Sequence, residues 1–306
     1  MTGLRILACA VAFATCALPI AGHAEGGINL VTVSDVFAGL KTAQTVTIAA
    51  YSLAPNARIT RAIIAAADRG ARVTVALSSS AFGANAQQNE ETTALLTEHH
   101  VSVHGSPTRS HIKIASLDGH LYLSDRNFAS STSQAIVVSD TVPGDRMLIE
   151  KSILGQPGSN AHLWTRKGDA LSAEAGLIRV RSSRSLIVST ESFNANTAVF
   201  TAMLARRQMN DSVRLLVAAN EYRTSRTDQE AVSRLRAAGA EVRISRADEK
   251  FAVDGDNVFF GSANQTGGYP DQIDFGIAVT DRSLATRLRA QFETEWAEAS
   301  TPENAQ

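Results

Sequence analysis

One order of strands and helices runs through this chain twice, and that repetition limits the possible folds more than any other feature. In the first pass, Val31–Leu40 reads as a short helix and Thr45–Tyr51 as an apolar, β-rich strand. Asn56–Asp68 has helical spacing in Ile59, Ile63, Ile64 and Ala67, and stops at Arg69-Gly70. Arg72–Leu77 is a strand, Ser78–Asn89 a small, polar loop, Glu90–Glu98 a helix and Val101–His104 a strand; Gln134–Val138 is a later one. The second pass repeats this: strand Ser185–Thr190, helix Ala195–Arg207, strand Val213–Ala218, helix Asp228–Ala238, strands Glu241–Ile244 and Asp274–Val279. Leu284–Trp296 closes it as a helix, with Leu284, Leu288, Phe292 and Trp296 four residues apart. Alternating strands and helices predict an α/β fold of two αβα units related by a pseudo-two-fold, with mixed sheets and helices on both faces. The expected boundaries are residues 25–160 and 179–306, with a linker over 161–178 where Arg166-Lys-Gly-Asp breaks the pattern.

The first 24 residues are expected to lie outside the fold. Arg5 is the lone charge before an apolar run from Ile6 to Ile20, and Ala21-Gly22-His23-Ala24 offers small residues for cleavage. This reads as a secretory signal peptide, because the run is short of the ~20 residues that span a bilayer. Cys9 and Cys16 are the two cysteines of the chain, and both fall in this segment. The processed protein is then expected to have no disulfide and no thiolate nucleophile, and to be periplasmic or secreted. Its formal charge becomes −2 once Arg5 leaves a chain of net charge −1, which does not indicate a strongly basic nucleic-acid binder.

Between the repeated strands lies the stretch that carries chemistry. It runs His111-Ile-Lys113, then Asp118-Gly119, then His120-Leu-Tyr-Leu-Ser124-Asp125-Arg126-Asn127. His111 and Lys113, two apart, share one face of a strand, and Asp118-Gly119 is a hairpin turn signal. The return strand brings Asn127 back beside the pair. An imidazole, an ammonium and a carboxamide then converge on a volume suited to a phosphate. A second copy follows in the other half: Lys250-Phe-Ala-Val-Asp254, then Gly261-Ser262-Ala-Asn264.

These residues resemble the HxKxxxxD and GSxN signatures of the phospholipase D superfamily, over both halves of the processed chain. The resemblance implies two phospholipase D-like units that build one active site. It implies a phosphohistidine formed on His111, with positive charge from Lys113 and Lys250. Asn127, Ser262 and Asn264 would bind the substrate phosphate. The motif aspartates Asp118 and Asp254 belong to the catalytic signature, with an orienting role. The second copy departs from the pattern: Asp248 stands where the family has its proton-donating His, and Asp254 comes one residue early. No His follows His162, so the second half holds no substitute. A carboxylate with an ordinary pKa near ~3.9 can serve as a base but is a poor acid at neutral pH. Activity is therefore expected to be weak, acid-shifted or limited to good leaving groups. Asp274 and Gln134 are the candidates for orienting His111, and sequence does not decide between them.

No convincing metal-binding cluster appears, and no cofactor is expected. His99, His100 and His104 read as a polar helix end and strand. Arg179, Arg181 and Arg184 read as an exposed edge and turn, and Gly267-Gly268-Tyr269-Pro270 as a loop near the mouth of the site. The functional expectation is an exported phosphodiesterase acting on phospholipid, with peripheral contact to a membrane surface, and a monomer containing an internal pseudo-dimer. The acidic balance favours lipid over nucleic acid. A nuclease with the same site, or a degenerate phosphate- or lipid-binding protein, are the alternatives.

Overall fold

The computed structural model describes residues 27–128, 135–246 and 248–305; the expected signal peptide and Gln134 lie outside them. The first unit runs β1 (Ile28–Val31), α1 (Val33–Leu40), β2 (Thr45–Ala50), α2 (Arg58–Asp68), β3 (Arg72–Leu77), α3 (Ala84–Glu98) and β4 (Ser102–Gly105). It continues through β5 (Ile114–Leu117), β6 (His120–Ser124), β7 (Val137–Asp140) and α4 (Asp145–Ile153). The second unit runs β8 (Leu163–Arg166), α5 (Lys167–Val180), β9 (Ser185–Thr190), α6 (Ala198–Gln208), β10 (Ser212–Ala218), α7 (Ala219–Thr224), α8 (Arg226–Ala237) and β11 (Glu241–Ser245). It ends with β12 (Phe251–Asp254), β13 (Asn257–Gly261), β14 (Ile273–Thr280) and α9 (Arg282–Glu298).

The two sheets have the same topology, β1-β7-β6-β5-β2-β3-β4 and β8-β14-β13-β12-β9-β10-β11. β2, β3 and β4 are parallel, as are β9, β10 and β11, and the remaining strands join them antiparallel. This is the mixed α/β duplication that the sequence predicts. On one face of the first sheet, Val36, Phe37, Ile59, Ile63 and Leu96 of α1–α3 cover Val46, Ile48 and Val75. On the other, Ile114, Leu121 and Leu123 share a core with Phe251, Phe260, Leu288 and Phe292 of the second unit. Burial of large apolar side chains from both sheets is what holds the two units face to face.

Two expectations are corrected. The expected linker contains β8 and most of α5, so the second unit begins near residue 163. Leu163, Ala170, Leu171, Ala175 and Ile178 are buried there, and the close pass of Pro270 accounts for Gly168. The expected loop Ser78–Asn89 is helical from Ala84. Its anchors are polar, which hides the helix from apolar periodicity: Asn89 Oδ1 accepts from Leu53 N at 3.1 Å, and Thr92 donates to Leu53 O at 2.6 Å. Both β1 and β8 are edge strands of four residues, too short to give a period.

Glu174 of α5 is buried against Gln265, whose amide donates to it at 2.5 Å, and burial raises its pKa to about 8. Between the ordinary carboxyl range and pH 8 the folded chain holds a proton that the unfolded chain has released. Stability therefore falls as pH rises through that interval. Thermal unfolding at pH 5 and pH 8 should show a gap attributable to this group, on the order of a few kcal/mol, and Glu174→Gln should narrow it. An unchanged gap in the variant would show that the group does not carry the effect.

Candidate active site

His111 is placed by both units at once. Its backbone N–H donates to Ile273 O at 2.7 Å, and Ile273 N donates to Arg109 O at 2.9 Å, so the segment before β5 is stitched to β14. This register sets the imidazole beside Asp274, with Nδ1 3.3 Å from Oδ1 and 3.1 Å from Ser262 O. Asp274 also accepts from Ser262 Oγ at 2.8 Å and from Gln272 Nε2 at 2.7 Å. A proton on Nδ1 is thereby favoured, leaving Nε2 with the lone pair a nucleophile needs. The Tyr51 ring packs edge-on against the imidazole at 5.2 Å.

Lys113 is buried with Nζ 2.8 and 2.9 Å from the two ring nitrogens of His111. Burial, then the charge of Lys250, bring its pKa down to about 7. Burial and Lys113 likewise push the pKa of His111 down, against the pull of Asp274 and Glu191. Burial opposes the charge of Lys250 too, but Glu191 and Asp125 outweigh it and its pKa is raised. Lys250 Nζ is 2.8 Å from Glu191 and donates to Asp125 O at 3.3 Å. The two motif lysines come from different units, and they lie near enough for the charge of Lys250 to act on Lys113. Asn127 and Asn264 follow β6 and β13 at equivalent places, and among the described residues each has a buried Oδ1 without a hydrogen-bond partner. Since an amide side chain can present either end, each retains hydrogen-bonding capacity for a ligand.

The motif aspartates lie elsewhere. Asp118, in the β5–β6 turn at φ 49°, accepts from Gln44 N at 3.0 Å and Thr45 N at 2.8 Å. Asp254 accepts from Ser182 N at 2.7 Å and Ser183 N at 3.0 Å, and pairs with the buried Arg206 at 3.0 Å. Both tie the far end of a hairpin to the segment entering the neighbouring parallel strand. Both therefore play a structural part, and none of these contacts is to His111. The shorter second spacing places Asp254 as the last residue of β12, paired with Leu186, where the first unit has Leu117 paired with Val46.

Asp248 does not contact His111. Its carboxylate meets the guanidinium of Arg126, which also lies 3.3 Å from Glu249 and 3.7 Å from Asp125. Burial raises the pKa of Asp125 to about 6 and that of Glu249 well above the usual carboxylate range. The residue in the second His position is therefore engaged in an inter-unit ion pair. Sequence reasoning missed Arg126 in this role, together with Tyr51, Gln272 and Glu191. Two of these had a signal: Tyr51-Ser-Leu and Glu191-Ser-Phe follow β2 and β9 at matching places, and carboxyl ends of parallel strands are where such folds put their sites. Of the other histidines considered, His99 pairs with Asp68 at 2.9 Å. Among the described residues no group of three His, Cys, Asp or Glu side chains is set to hold a metal. The loop expected near the mouth carries the exposed Tyr269, with Arg109 stacked on its ring at 3.7 Å.

Fold and site together define a duplicated α/β protein in which His111 and Lys113 of one unit cluster with Asp274 and Lys250 of the other. Residues 179–296 match the family model described as "Cardiolipin synthase, PLD-like domain". Phosphatidylserine synthase from Haemophilus influenzae is similar in structure, with TM-score 0.66 and 10% identity over 88% of this chain and 85% of that one. Polyphosphate kinase from Porphyromonas gingivalis gives TM-score 0.59 and 15% identity over 86% of this chain, which spans 49% of the kinase. Nuc from Salmonella typhimurium, a phospholipase D family member, gives TM-score 0.39 and 18% identity over 42% of this chain and 87% of its own. No curated protein matches. Residues 179–296 of the second unit thus match a phospholipase D-like domain model, and the chain as a whole shares its fold with the phosphatidylserine synthase. The resemblance drawn from the motifs is borne out.

Proposed function

We propose that this protein is an exported phosphodiesterase of phospholipase D type that hydrolyses a phospholipid through a phosphohistidine on His111. The observation that carries this reading is His111, oriented by Asp274 from the opposite unit and contacted by Lys113, on which the charge of Lys250 bears. In the first step Nε2 attacks phosphorus and the bond to the leaving oxygen breaks. The lysines balance charge on the non-bridging oxygens. Asp248, engaged by Arg126, is poorly disposed to protonate that oxygen, so diesters with good leaving groups are favoured. Exposed Phe82 and Tyr269 and the acidic balance of the chain support a lipid over a polyanionic nucleic acid. The test is a panel of phosphatidylcholine, DNA and an activated diester, with mass-spectrometric trapping of a phosphorylated His111. Cleavage of DNA alone would reject the lipid reading. Binding of lipid without turnover or adduct would leave a binding protein in place of an enzyme.

The pH dependence follows from the site. With Lys113 at about 7, its charge is lost as pH rises through neutrality, while the lowered pKa of His111 keeps the nucleophile neutral into mild acid. The kcat/KM profile, which reports the free enzyme, is expected to fall above about pH 7, with an acid limb below the ordinary histidine range near ~6.5. A profile still rising to pH 9 would contradict this arrangement.

A further inference from the structure

Three features of the site point to a residue outside the family motifs. The second His position holds Asp248, whose carboxylate is taken by Arg126, and no His follows His162. Two carboxylates bear electrostatically on His111, Asp274 and Glu191. Asp274 has no solvent exposure and is held by His111, Ser262 and Gln272, whereas the Glu191 side chain is 22% exposed, so water can reach it. Glu191 directly follows β9 as Tyr51 follows β2. The topologies repeat, so Glu191 stands toward position 248 as Tyr51 stands toward His111, against whose ring it packs. Its carboxylate is 2.8 Å from Lys250, and its charge is felt by Lys113 and His111 alike.

We propose that Glu191 is the catalytic base of the hydrolytic half-reaction, acting from a different strand end in place of the motif's second histidine. The inference rests on the phosphohistidine reading above. Water oxygen attacks the phosphorus borne on Nε2 of His111, and the water proton passes to the Glu191 carboxylate. The P–N bond breaks, its electron pair returns to Nε2, and the phosphate monoester leaves. In the free protein burial would raise the Glu191 pKa, but Lys250, His111 and Lys113 hold it at about 2. A phosphoryl group on His111 brings negative charge that competes for those cations, so the carboxylate gains basicity when the intermediate is present.

The experiment compares the parent, Glu191→Gln, Glu191→Asp and His111→Ala on an activated aryl phosphodiester. It follows aryl release by rapid mixing and His111 phosphorylation by mass spectrometry, with thermal unfolding as the folding control. For Glu191→Gln the expected result is one rapid equivalent of aryl release and an accumulated adduct. Steady turnover then falls ~10²–10⁴-fold. Glu191→Asp, which keeps a carboxylate, should recover part of that turnover. An active parent whose Glu191→Gln variant turns over normally, or loses the burst together with turnover, overturns the base assignment alone. In the second case Glu191 serves only to position Lys250. A parent with neither turnover nor adduct, or a His111→Ala variant as active as the parent, overturns the phosphohistidine reading and this inference with it.

Discussion

His111→Ala should lower turnover of an activated phosphodiester by at least ~10⁴-fold, equivalent to ~5.5 kcal/mol of transition-state stabilisation, while leaving the melting temperature within a few degrees of the parent. The size follows from what is removed. Among the described residues, the imidazole is the group that both units are arranged to orient, through Ile273, Asp274 and Ser262, and its loss closes the covalent route entirely. Lys113 and Lys250 remain to bind the phosphate, so affinity for substrate or inorganic phosphate should change far less than turnover. The expected effect on folding is small because the ring is partly accessible to solvent. Steady-state kinetics with phosphate inhibition separate the two quantities. A variant that retains a tenth of parental turnover would place the nucleophile elsewhere.

Arg206→Met should cost the second unit ~3 kcal/mol or more, measured by urea unfolding. Arg206 has no solvent exposure, and its guanidinium donates to Asp211 at 2.6 Å, Asp254 at 3.0 Å, Ile178 O at 2.9 Å and Ser183 O at 2.7 Å. Removing one partner of a buried pair leaves an uncompensated charge, typically ~3–5 kcal/mol. The lower end is expected because Asp211 keeps Arg181 at 2.7 Å and Asp254 keeps the Ser182 and Ser183 N–H groups. Adding Asp254→Asn and Asp211→Asn to Arg206→Met should recover part of the loss, since no buried charge then lacks a partner. A single variant as stable as the parent would mean that the network contributes nothing net.

The parts of the fold legible in sequence were those with a strong local period. Arg72–Leu77 and Ser185–Thr190 are strands with the expected bounds, and Leu284–Trp296 lies within α9 with its four apolar residues buried. The edge strands β1 and β8 and the first turns of α3, from Ala84 to Asn89, carry no such period and were missed. Within the site, the identity and spacing of His111, Lys113 and Lys250 were enough to expect a phosphate pocket between the halves. Glu191 was hidden because a Glu after an apolar strand looks like any surface carboxylate until the repeat is superposed on its first copy.

By itself the sequence determined the duplication, the alternation of strands and helices and the residue types that would converge, because each rests on near-neighbour spacing along the chain. Only the tertiary structure decided that Asp274 orients His111 across 163 residues, that Arg126 occupies Asp248, and that the motif aspartates serve the hairpin ends. Those outcomes depend on how two apolar sheet faces pack together, and packing sets distances that no spacing along one chain can specify.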